Sequence, residues 1–180
     1  YNVIKYGHFE ELYMDKKNLL ILGAGQYGRV VRETAEAMGC FEKICFLDDS
    51  SPLAAGKMAE YESLRGTFSS AFVAMGNPQL RMQWLEKLEQ AGYEIPVLIH
   101  PNAYVSSSAQ LGKGTIVEPM AVVNSEAIVE AGGLLCAACV VNHNAHVMAV
   151  CQVDCKAVVA SNAVVPEGTK VFSGTVFERK

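Results

Sequence analysis

The sequence carries no block of like charge anywhere along its 180 residues, and its formal net charge is only −4. That absence argues against nucleic acid or an anionic membrane surface as the main partner, since both recruit clustered lysine and arginine. No apolar run approaches the roughly 18 residues needed to span a bilayer. The opening Tyr1-Asn-Val-Ile-Lys-Tyr-Gly-His has no apolar signal core. Met14-Asp-Lys-Lys-Asn reads as a natural start, so residues 1–16 are set apart as an extension.

A metal-ligand pattern is missing too. Among six cysteines, Cys136 and Cys139 make a lone CxxC and Cys151 and Cys155 a Cx3C. A structural zinc site needs four converging ligands, and His143 and His146 lie nearby in sequence. No metal is expected. Reduced, packed cysteines in a cytoplasmic protein are the simpler reading.

What is present is apolar: 51% of residues are hydrophobic and the mean hydropathy is +0.17. Much of this comes from one pattern. From Val105 to Phe177 an aliphatic or aromatic residue falls on every sixth position (Val105, Leu111, Val117, Val123, Val129 and onward), and a small residue stands two places before each. Neither a helix (period 3.6) nor a half-buried strand (period 2) gives that pattern. A parallel β-helix does: each six-residue unit forms one flat side of a coil, and both residue types stack inside it.

The N-terminal half reads as half a Rossmann fold. Residues 19–22 form a buried strand, followed at once by Gly23-Ala-Gly25-Gln-Tyr-Gly28. A helix is expected over 27–38, with Val31, Ala35 and Met38 on one face and Gly39 as its stop. Residues 43–47 make a second strand ending in Asp48-Asp49, about 20 residues beyond the third glycine. Such glycines let backbone approach phosphate at a helix N-terminus, and an acid at the next strand end accepts from a ribose or base. A third strand is expected over 71–75 and a helix over 78–91, capped by Asn77 and Pro78, with Leu80, Trp84 and Leu88 buried. A fourth strand over 95–99 would lead into the repeat. A dinucleotide needs two mononucleotide-binding halves. One half suits a nucleotide or nucleotide-sugar better than NAD, and an NAD(P)-binding sensor is the weaker alternative. The domains are therefore expected at 17–98 (Rossmann-like) and 99–180 (β-helix).

This order of motifs, with Phe46-Leu-Asp-Asp49 at a strand end and Ile99-His-Pro-Asn-Ala103 before the hexapeptides, resembles the NeuD/PglD-type sugar O- and N-acetyltransferases. The resemblance implies a left-handed β-helix, a homotrimer, a UDP-amino sugar held by the N-terminal domain and acetyl-CoA as co-substrate in surface-glycan synthesis. By position it assigns Gly23, Gly25, Gly28, Asp48, Asp49, Gly76 and Asn77 to the nucleotide-sugar.

The catalytic segment departs from the family. There a Glu-His-Asp/Glu-Cys run supplies a general-base histidine, oriented by a neighbouring carboxylate. Aligned on Asn142, Ala145, Val147 and Cys151, the slot falls on Met148-Ala149-Val150, so that Ala149 replaces the base and Val158 a second family histidine. His146 and His143 are the stand-in candidates; His100 reads as structural, and His8 lies in the extension. The residue after each inward aliphatic is expected at a left-handed corner, where the family often has glycine. Only Gly112 conforms, with Asn124, Asn142 and Asp154 next best and Cys136, Met148 and Phe172 departing. Two readings stay open: an acetyltransferase with altered catalysis, or a nucleotide-sugar-binding trimeric scaffold or regulator that transfers nothing.

Overall fold

The computed structural model describes residues 17–178, so His8 and the extension lie outside the described residues. The chain divides into two compact units, one ending at Pro96 and the other beginning at Val97.

In the N-terminal unit, β1 (Lys17–Leu22) is the middle strand of a three-stranded parallel sheet, between β2 (Phe41–Leu47) and β3 (Ser70–Val73). Leu19 to Leu22 are fully buried, as a central parallel strand covered on both faces requires. Helix α1 (Gln26–Met38) follows β1 and stops at Gly39, whose φ of 67° is the left-handed C-cap foreseen for it. Helix α2 (Pro78–Gln90) follows β3, with Asn77 accepting from the Leu80 N–H as N-cap.

Two expectations fail here. Helix α2 turns Arg81, Leu85 and Leu88 inward, and Leu80 is 47% exposed. Both stripes have helical spacing; the inward one is chosen because Arg81 finds carbonyl partners under the preceding turn. The fourth strand is also absent from this sheet: Leu98–Ile99 pairs instead with Ile116–Val117 in the β-helix, and only an isolated bridge from Glu94 to Ser70 reaches β3. Pro96 lacks the N–H a ladder needs and sits where the chain leaves one unit for the other.

The C-terminal unit is a left-handed parallel β-helix of two-residue strands in three sheets. The first side holds Leu98–Ile99, Ile116–Val117, Leu134–Leu135, Gln152–Val153 and Lys170–Val171. The second holds Tyr104–Val105, Val122–Val123, Val140–Val141, Val158–Val159 and Val176–Phe177, and the third Gln110–Leu111, Ile128–Val129, His146–Val147 and Val164–Val165. Pairing of Leu98 with Ile116 and Tyr104 with Val122 fixes eighteen residues per coil. The two hexapeptide phases form one buried column: Val117, Val123, Val141 and Val159 are 0% exposed, as are Ala121, Cys139, Ala145 and Cys151. All six cysteines are free thiols, and burial pushes Cys139 up to about 12.

Left-handed backbone recurs with the same period but in a different phase from the expected one. Positive φ falls at Gly114, Met120, Glu126, Gly132, Ala138, Asn144, Val150, Lys156, Asn162, Gly168 and Gly174, three residues after each inward aliphatic from Leu111 to Val171. Most of these corners are four-residue turns closed by a bond such as Ala121 N–H to Glu118 O at 3.2 Å, with positive φ at the third residue. The residue directly after the inward aliphatic opens the turn and needs no left-handed geometry. Cys136, Met148 and Phe172 are therefore unstrained, whereas Val150, β-branched and at φ 50°, is the corner that departs most.

Candidate functional site

The three glycines of the N-terminal loop answer to different demands. Gly23 has φ 106°, and a Cβ there would lie 2.9 Å from the Ala74 carbonyl oxygen. At Gly28 a Cβ would meet the Gly23 carbonyl oxygen at 2.2 Å, so helix α1 packs against the turn only without a side chain. Gly25 differs: its φ is −74°, and a Cβ would meet nothing within 4 Å. The fold has no use for glycine at that N-cap, where a side-chain oxygen would satisfy a free helix N–H. A ligand approaching the N-terminus of α1 closely would need it.

Asp48 sits at the end of β2, and both its oxygens are used within the protein. Oδ2 accepts from the Ala24 N–H at 2.8 Å, and Oδ1 from the N–H groups of Ser50 and Ser51, each at 2.9 Å. These backbone donors hold its pKa down to about 2. Asp49 accepts from the Met58 N–H at 3.1 Å through Oδ1, and its carbonyl from Lys57 Nζ at 2.5 Å. The two acids thus brace the loops around the end of β2: Asp48 ties Ala24 to Ser50–Ser51, and Asp49 holds the short 3-10 turn Met58–Glu60. Gly76 and Asn77 are exposed after β3, whose continuation Ala74 bonds to the Leu22 carbonyl at 2.8 Å. The Gly23–Gly28 loop, Asp48 and the Gly76–Asn77 turn therefore gather at the C-terminal edge of one parallel sheet, the usual ligand side of such folds.

In the β-helix unit the three corners differ in chemistry. Between the second and third sides the turns read Ser106-Ser-Ser108, Asn124-Ser-Glu126, Asn142-His-Asn144 and Ala160-Ser-Asn162, a polar seam running coil to coil. His143 is exposed in this seam, its Nδ1 3.3 Å from Ser161 Oγ one coil on. Asn124 Nδ2 donates to Asn142 Oδ1 at 3.2 Å and locks the turn beside it.

His146 lies three residues further, on the third side, with Nε2 2.8 Å from Glu130 Oε1. The other carboxylate oxygen of Glu130 accepts from the Ala149 N–H at 3.1 Å. Glu130 and His146 together staple adjacent coils. The Met148-Ala149-Val150 corner is apolar, with Ala149 7% and Val150 4% exposed. It offers neither a titratable group nor access. His100 accepts from the Asn102 N–H through Nδ1 at 3.1 Å, the structural turn role expected of it.

Among the described residues no group of three or more His, Cys, Asp or Glu gathers for a metal, and no helix is long and apolar enough to cross a membrane. The sequence reading missed Arg81, Glu130 and Ser161. Arg81 carried a signal in its i, i+4, i+7 spacing with Leu85 and Leu88, which the Leu80–Trp84–Leu88 stripe obscured. Glu130 and Ser161 lie sixteen and eighteen residues from their histidines, and only the coil length relates them.

Comparison with known proteins places these features in a family. A family profile described as the PglD N-terminal domain matches residues 18–88. UDP-N-acetylbacillosamine N-acetyltransferase of Bacillus subtilis (strain 168) is 33% identical over 110 residues, 56% of this chain and 51% of that protein. The matched stretch thus spans about half of that curated relative. The acetyltransferase domain of PglB from Neisseria gonorrhoeae FA1090 superposes with a TM-score of 0.88 at 32% identity, covering 91% of this chain and 83% of that one. Its complex with acetyl coenzyme A gives 0.88 at 31% identity, over 92% and 83%. A histidine-to-asparagine variant of perosamine N-acetyltransferase from Caulobacter crescentus, in complex with CoA and GDP-perosamine, gives 0.65 at 25% identity, over 90% and 89%.

Proposed function

The chain belongs to the NeuD/PglD-type sugar acetyltransferase family, and from that premise we propose that it transfers the acetyl group of acetyl-CoA to the amine of a nucleotide-linked amino sugar. The observation that carries the nucleotide half is Gly25, a glycine the fold does not require, at the N-terminus of α1. Relatives that act on UDP- and GDP-linked amino sugars, and solved complexes with acetyl-CoA or CoA, support the two substrates.

In this reading the general base is His143. A six-residue shift keeps the inward phase of the repeat but moves the base to another of the coil's three corners. Corner chemistry therefore has to decide. Asn142-His143-Asn144-Ala145 sets histidine on histidine against the family's Glu-His-Asp/Glu-Cys run, with amides in place of both carboxylates. His143 is exposed, and its Nε2 is left to a substrate while Nδ1 faces Ser161. His146 has its Nε2 committed to Glu130. The sugar amine attacks the thioester carbonyl carbon as His143 Nε2 takes its proton; the C–S bond breaks and the departing thiolate of CoA receives a proton. Asp48 and Asp49 brace the nucleotide loops, and Gly23, Gly25, Gly28, Gly76 and Asn77 form the surface presented to the nucleotide-sugar.

A homotrimer is part of the proposal. The outward residues of the second side form an unbroken apolar ladder of Tyr104, Val122, Val140, Val158 and Val176, with Tyr104 58% and Val176 57% exposed in the single chain. A cytoplasmic location fits six free thiols and the two substrates proposed.

The test is thiol release from acetyl-CoA across UDP- and GDP-linked amino sugars, with calorimetric binding of the same sugars and of NADH. Turnover with one of them is the expected result. Sugar binding without turnover would favour the silent scaffold, and NADH binding without sugar binding would overturn the proposal.

A further inference from the structure

Under the Gly76–Asn77 turn lies a charge that acetyl transfer does not call for. Arg81, in the first turns of α2, is 1% exposed. Its Nη1 donates to the Met75 carbonyl at 2.6 Å and to the Gly76 carbonyl at 3.0 Å. Burying a guanidinium carries a desolvation cost that its partners must offset, and a leucine in the Arg81–Leu85–Leu88 stripe would incur none. The carbonyls it holds are what set it apart from an ordinary core residue.

In a trans peptide the C=O of one residue and the N–H of the next point in opposite directions across one rigid plane. Drawing the Met75 and Gly76 carbonyls inward onto Arg81 therefore turns the N–H groups of Gly76 and Asn77 away from the core. Both residues are exposed, and they precede the N-terminus of α2, where the helix dipole adds to the attraction for an anion. The turn continues from Ala74, whose carbonyl oxygen lies against Gly23 at the start of the glycine loop.

We propose that Arg81 is a positioning residue for the diphosphate of the nucleotide-sugar: its Nη1, held between two carbonyls, fixes two peptide planes so that the Gly76 and Asn77 N–H groups are presented to phosphate oxygens. This rests on the nucleotide-sugar reading of the N-terminal unit. Arg81 itself touches no substrate. Its effect is confined to the phosphate-bearing part of the ligand, which separates it from a residue that merely stabilises the domain.

Calorimetric titration of the full chain with UDP and GDP, and with uridine and guanosine, tests both layers. If the wild-type chain binds neither diphosphate, the nucleotide-sugar reading fails and this proposal fails with it. If it binds one, Arg81→Met should weaken that diphosphate at least tenfold while leaving the matching nucleoside and acetyl-CoA unchanged. Arg81→Lys, which keeps the charge but is too short to bring an N–H to the Nη1 position, should also weaken the diphosphate selectively, and it decides the matter should Arg81→Met fail to fold. Equal weakening of nucleoside and diphosphate, or none in either, overturns the assignment.

Discussion

The Nδ1 of His143 lies 3.3 Å from the hydroxyl of Ser161, one full coil further along the β-helix. A hydroxyl there orients the imidazole, as donor or acceptor according to the ring's tautomer, but brings no negative charge to stabilise an imidazolium. Ser161→Ala should lower kcat by about tenfold, less than the roughly 10²–10⁴-fold that the general base itself contributes. KM for the sugar should hardly move. Steady-state thiol release gives both numbers; a change in KM alone would assign Ser161 to binding.

Gly28→Ala and Gly25→Ala should part company. At Gly28 the added methyl meets the Gly23 carbonyl oxygen at 2.2 Å, and relieving that overlap should destabilise the N-terminal unit by roughly 1–3 kcal/mol. At Gly25 the methyl enters open space, so stability should be kept while nucleotide-sugar affinity falls. Thermal melts beside calorimetry separate the two, and unchanged binding in Gly25→Ala would remove the ligand argument.

Asp48 supplies a pH signature. Its folded pKa of about 2 is below the unfolded value of about 3.9. The stabilisation it gives is therefore present above that unfolded value and is lost as pH falls towards 2. Trp84 is the sole tryptophan and sits in α2 of the same unit, so its fluorescence reports this loss. Asp48→Asn should flatten the difference between pH 4 and 2; an unaltered acid transition would show that other carboxylates carry it.

Lys156 is exposed and held at φ 58°. A non-glycine residue in left-handed backbone costs roughly 1–2 kcal/mol. Glycine removes that strain but gives back about 0.5–1 kcal/mol of chain entropy. Lys156→Gly should thus stabilise the β-helix by about 0.5–1 kcal/mol. A denaturant melt measures it, and destabilisation would mean the lysine side chain contributes more than its exposure suggests.

The sequence made the β-helix legible because its inward positions repeat without a break, and stacking identical coils demands that regularity. The same regularity left the register of the proposed base open. Val141 and Val147 are equivalent to the core, so nothing in the inward pattern distinguishes the His143 corner from the Ala149 corner. Only the polar seam of Ser125, His143 and Ser161, eighteen residues apart, does so, and it becomes visible once the coil length is fixed. The strand over 95–99 misled for a related reason: two apolar residues suit either sheet, and hydrogen bonding gave Leu98–Ile99 to the β-helix. In the N-terminal unit strands, helices and glycine loop were readable from local signals. The internal engagement of Asp48 was not, since its donors come from three separate residues.

The most direct test compares His143→Ala with His146→Gln in the same thiol-release assay, using the nucleotide-linked amino sugar the wild type turns over fastest. His143→Ala should lose about 10²–10⁴-fold in kcat with sugar binding intact. His146→Gln should stay within a few-fold of wild type and show only a stability loss of at most about 1 kcal/mol from its half-exposed pair with Glu130. Abolished turnover in His146→Gln with an active His143→Ala would contradict the account.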